Sequence, residues 1–141
     1  MYTWGRGDDG RLGHGDNGWQ YVPRLLERLS GRAVVQVACG SYHTAAVTAS
    51  GELLTWGGGM YGKLGHGNEL GHSVPHRVEA LRHTHLVQVA CGSRHTVALD
   101  QEGKVYTWGD RESGVCGHAE LGGHEYLPRL VEGLNHVVVK Q

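Results

Sequence analysis

The sequence predicts an all-β fold, a β-propeller of four-stranded antiparallel blades, and three observations carry the prediction. Trp4, Trp56 and Trp108 recur every 52 residues, and the pairs Cys39/Cys91 and Pro23/Pro75 keep the same spacing. Each unit of that length holds about four short β-type runs. Glycine supplies 24 of the 141 residues, enough to join many short strands by tight turns. A small four-stranded sheet buries its faces only against neighbouring sheets, so a repeating unit of this kind reads as a blade. A sandwich has no reason to repeat its sequence, and solenoid units are usually shorter or helical.

In chain order, Tyr2-Thr3-Trp4-Gly5 reads as the last part of a strand, and Pro23 to Leu29 as an apolar-polar alternation. Val34-x-x-Val37, Ala45-x-Val47 and Leu53-Leu54-Thr55-Trp56 are β-type runs bounded by Gly or Ser-Gly. The copies "VVQVACGSYHTAAVTASGELLTWG" from Val34 and "LVQVACGSRHTVALDQEGKVYTWG" from Leu86 are nearly identical. Pro23, Pro75 and Pro128 suit strand starts or edges, because proline has no N–H to give a ladder. Pro128 follows Pro75 at 53, which implies one inserted residue between His118 and Pro128.

These copies set units at about 1–33, 34–85 and 86–138, with a further unit starting at 139–141 as a strand. The chain then holds roughly 2.7 units of a partial propeller, and it reads as a piece of a longer one. Open strand edges and blade faces favour association with another chain, so a homodimer or larger closed assembly that completes a ring is expected.

Charge and composition narrow the function. The formal net charge is -1, with 13 basic residues scattered among 14 acidic ones, so no stripe tracks a phosphate backbone and nucleic acid is not an expected partner. No apolar run approaches the ~18 residues of a membrane span, and Met1-Tyr2-Thr3-Trp4 lacks a signal-peptide layout. The expected location is cytoplasmic or nuclear. Three cysteines, two of them in identical contexts, fit reduced thiols better than a disulfide framework.

Several motifs suggest chemistry and lose it in context. "WGRGDDGRLGHG" from Trp4 contains Gly-x-Gly-x-x-Gly, and Gly57 to Leu64 comes within one residue of a P-loop, which needs Ser or Thr at Leu64. A dinucleotide loop must open a helix, whereas Leu12-Gly13-His14-Gly15 follows here, and the copy at Gly109 loses the pattern. Arg6-Gly7-Asp8 spells an adhesion tripeptide that recurs in neither other copy. Cys39-x-x-x-His43 and Cys91-x-x-x-His95 have zinc-ligand residue types, but equivalent positions of successive blades sit around a ring rather than converging. They read as structural, buried small cysteines with histidines bonding backbone, and Trp4, Trp56 and Trp108 as packing residues between sheets. His14, His66 and His118 occupy one turn per unit. No nucleophile-base or paired-carboxylate arrangement recurs with positional logic. The chain is expected to be non-enzymatic, without cofactor or metal.

Taken together, Cys39-Gly40-Ser41-x-His43-Thr44, the Thr55-Trp56-Gly57 segment, Gly62-Lys63-Leu64-Gly65-His66-Gly67 and Val22-Pro23-x-x-Leu26-Glu27, with their copies, resemble the repeat of the regulator of chromosome condensation family. The resemblance spans essentially the whole chain. It implies a seven-bladed propeller whose members act as guanine-nucleotide exchange factors, as partner-binding domains of giant HECT ubiquitin ligases, or as a plant ultraviolet receptor. The receptors carry Trp in a Gly-Trp-Arg-His-Thr segment; Ser41 and Ser93 stand there in this chain, so light sensing is not implied. Nothing matches the inserted hairpin on which exchange activity depends. The expected role is a non-catalytic protein-interaction module, as the substrate- or partner-binding part of a large HECT-type ubiquitin ligase; the alternatives are guanine-nucleotide exchange on a small GTPase and a fragment with no independent function.

Where the copies agree a residue serves the scaffold; where they differ in one loop it is free to recognise a partner. Tyr42 against Arg94 is the cleanest pair, flanked by identical Cys-Gly-Ser and His-Thr. Arg6, Asp8 and Asp9 against Met60, Tyr61 and then Arg111, Glu112 form a second group, and Trp19 has no aromatic counterpart at Gly71 or His72.

Overall fold

A computed structural model describes residues 1–120 and 122–141. The strands are β1 (Tyr2–Gly5), β2 (Gln20–Leu25), β3 (Val34–Cys39), β4 (His43–Thr48), β5 (Leu53–Gly57), β6 (His72–Arg77), β7 (Leu86–Cys91), β8 (His95–Asp100), β9 (Val105–Asp110) and β10 (His124–Leu130). They form two four-stranded antiparallel meanders, β3-β4-β5-β6 and β7-β8-β9-β10, and a two-stranded sheet β1-β2. The fold is all-β, as the repeat predicts.

The two central strands of the middle sheet are covered on both faces, so every residue of β4 and β5 is buried and the polar alternation of a half-exposed strand is absent. One core joins the middle and last sheets through Val47, Leu53, Val78, Leu86, Val89 and Trp108; another joins the first and middle through Leu26, Leu29, Ala46, Leu54 and Trp56. Trp56 and Trp108 are fully buried. Each rests on a glycine of the preceding unit: a Cβ at Gly13 would lie 2.8 Å from Trp56 Nε1, and one at Gly65 2.8 Å from Trp108 Nε1. Trp56 Nε1 also donates to the Arg11 carbonyl at 3.0 Å. Trp4 departs from its predicted packing role. It is 59% exposed, whereas Trp56 and Trp108 each rest on a glycine turn of the unit before them.

The conserved-looking Cys and His positions also depend on their neighbours. Cys39 is exposed, not buried as expected, while Cys91 is half-buried with its thiol 3.7 Å from the Ala38 carbonyl of the middle sheet. Burial, with Cys39 nearby, pushes the Cys91 thiol up to about 12. His43 is buried and bonds a side chain rather than backbone: Nε2 lies 2.8 Å from Thr96 Oγ1 of the next sheet. Thr96 Oγ1 gives its only hydrogen to the Lys63 carbonyl at 2.7 Å, so the imidazole must be the donor. His95 has no such bond among the described residues and is only half-buried.

Two further expectations change. The Pro23–Leu29 run is strand only to Leu25 and then a 3-10 turn over Glu27–Leu29. Leu26 and Leu29 both pack in the Trp56 core, and a three-residue turn places them on one side where strand alternation would part them. Residues 139–141 form no strand, although Val139 N donates to the Gly103 carbonyl at 3.1 Å just as Leu86 N does to Gly51 at 3.0 Å. Pro23, Pro75 and Pro128 do lie in the edge strands β2, β6 and β10.

Candidate protein-binding loop surface

An antiparallel meander delivers alternate connections to the same rim of a sheet. The β3–β4 and β5–β6 connections therefore share one rim, with the β1–β2, β7–β8 and β9–β10 connections beside them. After β1, β5 and β9 the chain makes a three-residue 3-10 turn, Asp8–Gly10, Met60–Gly62 and Glu112–Gly114. Its middle residue is left-handed each time: Asp9 (φ 60°), Tyr61 (φ 66°) and Ser113 (φ 63°). Such a φ costs about 1 kcal/mol or more outside glycine and persists only where the surroundings fix it. The glycine-rich stretches thus build turns, not the helix N-terminus a nucleotide loop requires.

On this rim, five of the residues singled out by comparing copies converge. Asp9, Tyr42, Met60, Tyr61 and Arg94 line one cleft of about 540 Å³, together with Lys63, Glu69, Ser93 and the glycines 58, 59 and 71. Cations and rings alternate along it. The Arg11 guanidinium lies 5.1 Å from the centroid of Tyr42, Lys63 Nζ 6.0 Å from both Tyr42 and Tyr61, and the Arg94 guanidinium 5.0 Å from Tyr61. Arg11 is tied down by the Ser41 carbonyl at 2.8 Å and by Asp9 at 3.3 Å, and Arg94 stands 3.5 Å from Asp110. Cation–π pairs of this kind contribute about 0.5–1 kcal/mol each at exposed sites. They also hold large side chains upright at the surface: Met60 is 62% exposed and Tyr42 50%.

Arg6, Asp8 and Trp19 form an adjoining group. Arg6 pairs with Asp8 at 2.8 Å and lies 5.4 Å over the Trp19 ring, and Trp19 Nε1 donates to Asp8 at 3.3 Å. The Arg6 and Trp19 bonds hold the Asp8 carboxyl below its ordinary range. The tripeptide Arg6-Gly7-Asp8 is therefore closed on itself.

Arg111 and Glu112 do not join the cleft. Arg111 is largely buried and bound to Glu125 at 3.3 Å and to Glu120, and Arg129 completes this acidic-basic cluster at 2.8 Å from Glu120 and 2.9 Å from Glu125. Arg111 is thus a structural cation rather than a free loop residue. Copy comparison also missed Arg11, Lys63 and Glu69. Arg11, Lys63 and Val115 occupy one position of the three units, and that difference was the available signal.

Behind the rim, His66, His72 and His76 cluster with ring centroids 4.6–4.9 Å apart. Thr55 Oγ1 donates to the Leu64 carbonyl at 2.7 Å, so His66 Nε2, 3.0 Å from that oxygen, carries the hydrogen. Burial, then His72 and His76, press His66 down to about 4, and burial with His76 lowers His72.

Comparison with known proteins gives a consistent picture. The model of the regulator of chromosome condensation (RCC1) repeat matches residues 1–47, 50–99 and 102–141. E3 ubiquitin-protein ligase HERC2 of Homo sapiens is 46% identical over 139 residues, covering 96% of this chain and 3% of that protein. Ultraviolet-B receptor UVR8 of Arabidopsis thaliana is 39% identical over 141 residues, covering 100% of this chain and 32% of that protein. The chain thus spans about a third or less of these relatives. Prp20p from Saccharomyces cerevisiae, a structure described with its binding to Gsp1p and histones, superposes with a TM-score of 0.82 at 21% identity, over 93% of this chain and 34% of that one. Human WBSCR16 superposes with 0.79 at 24% identity, over 92% of this chain and 34% of that one. These likenesses show the propeller fold.

Proposed function

Because the chain belongs to the regulator of chromosome condensation (RCC1) repeat family, we propose that it is a non-catalytic interaction module whose loop rim holds a protein partner. The supporting observation is convergence: Tyr42, Tyr61, Met60, Arg94 and Asp9 vary between otherwise matching units, yet they line one cleft. Partly exposed Tyr, Trp and Arg in rigid positions are the residue types that carry interface energy. The 46% identity to HERC2 supports a role as the partner- or substrate-binding part of a large ubiquitin ligase. Self-association through open sheet faces belongs to the same reading, since Tyr2, Trp4, Val35 and Val37 are all at least 45% exposed.

The second reading is guanine-nucleotide exchange on a small GTPase, and it draws on a fold neighbour described as binding Gsp1p. Release of fluorescent nucleotide from a panel of small GTPases separates the two. The module reading predicts the intrinsic release rate at catalytic amounts of this chain. Acceleration on any GTPase would overturn it.

A further inference from the structure

Lys63 stands apart in the cleft. It is almost fully enclosed, at 3% exposure, yet it belongs to the cleft lining, with Nζ 6.0 Å from the centroids of both Tyr42 and Tyr61. Among the described residues it makes one hydrogen bond, to the Met60 carbonyl at 3.2 Å, and no ion pair. Two N–H donors of a buried ammonium are left over, and burial holds the lysine below its ordinary range. The nearby carboxylates are already engaged: Asp9 pairs with Arg11 at 3.3 Å, and Glu69 accepts from the Tyr61 amide at 3.1 Å. Beside Nζ the floor is glycine, with a Cβ at Gly58 only 3.6 Å from it, so an incoming group meets backbone rather than a side chain.

We infer that Lys63 is the anchor of the rim, receiving the carboxylate of a Glu or Asp side chain from the partner protein between the Tyr42 and Tyr61 rings. This rests on the interaction-module reading. A carboxylate supplies two acceptors to the two spare donors, and a charge-assisted bond in a partly desolvated cleft is stronger than a neutral one. Arg94, half-exposed over Tyr61, stands at the same mouth and attracts the same charge. Asp8, Asp9, Glu69 and Asp110 around the rim disfavour a polyphosphate, which would bring several negative charges against them where a single carboxylate brings one. The volume of about 540 Å³ admits a few residues of chain around the acidic side chain.

Position 63 tolerates substitution within the repeat itself, since Arg11 and Val115 are its equivalents. The test is an NMR titration of the chain with a blocked Gly-Gly-Glu-Gly-Gly peptide, with its Gly-Gly-Gln-Gly-Gly counterpart, inorganic phosphate and oligouridylate run in parallel. The peptide with the single Glu is expected to shift the Gly58, Gly59 and Lys63 signals saturably and the others not to. Lys63→Val should weaken it about tenfold, the worth of one charge-assisted bond, and Lys63→Arg should restore most of it. Small shifts scattered over distant basic residues, unchanged binding in Lys63→Val, or equal binding of phosphate or oligouridylate would each overturn the proposal. If Lys63→Val does not fold, the wild-type map alone decides. A partner captured at this rim and unaffected by Lys63→Val would remove the anchor while leaving the module reading standing.

Discussion

At the scale of single residues, what a side chain does here is set by what the neighbouring unit packs against it. Trp56 and Trp4 stand in the same Thr-Trp-Gly triplet, yet one is fully buried and the other 59% exposed. Trp56→Ala should therefore cost about 3–5 kcal/mol and Trp4→Ala under ~1, read from denaturant midpoints. Equal losses would show that the inter-sheet contact is not what stabilises the tryptophan. Gly65 sharpens the point, because both its φ of +81° and the 2.8 Å approach of Trp108 exclude a side chain. Gly31 has the same φ of +81° with nothing within 4 Å. Gly31→Ala should cost about 1 kcal/mol from conformation alone and Gly65→Ala at least ~2. The role of Gly65 could be read as a repeated turn glycine, but not its contact with Trp108, which lies 43 residues away and in another sheet. Lys63 was illegible for a related reason: "GKLGHG" looks like scaffold until Tyr42 and Tyr61 fold over it.

At the scale of elements, buried histidines held neutral tie strands together, His43 to Thr96 of the next sheet and His66 to Thr55 of its own. Burial presses His43 down to about 3 and His66 to about 4, each below the ordinary 6.5. A folded value below the unfolded one means the unfolded chain binds more protons, so stability is full above about pH 6.5 and falls as the pH drops toward those values. Thermal unfolding should shift down by about 5 °C or more between pH 7 and pH 5. His66→Gln should flatten the slope, since glutamine does not titrate there; a pH-independent Tm would contradict the neutral, buried assignment. Most strands were legible because apolar pairs repeat at a fixed spacing. The Glu27–Leu29 turn was not, since Leu26 and Leu29 fit an alternation as well as a turn until Trp56 shows where both must point.

For the whole molecule, the repeat made the architecture readable, and the residues breaking it located most of the rim. Arg111 is the exception, because its acidic partners Glu120 and Glu125 come from the one stretch where the third unit carries an insertion. Open sheet faces predict self-association, and light scattering at micromolar concentration should give a mass above one chain; a stable monomer would count against closure between copies. The rim itself is tested most directly by placing a photo-crosslinking residue at Met60 and, separately, at Arg82, which follows the 3-10 turn Glu79–Leu81 on the opposite rim. A defined cross-linked protein is expected from position 60, lost when Tyr42 and Arg94 are both replaced by Ala, and none from position 82. Cross-linking from position 82 with position 60 silent would contradict it.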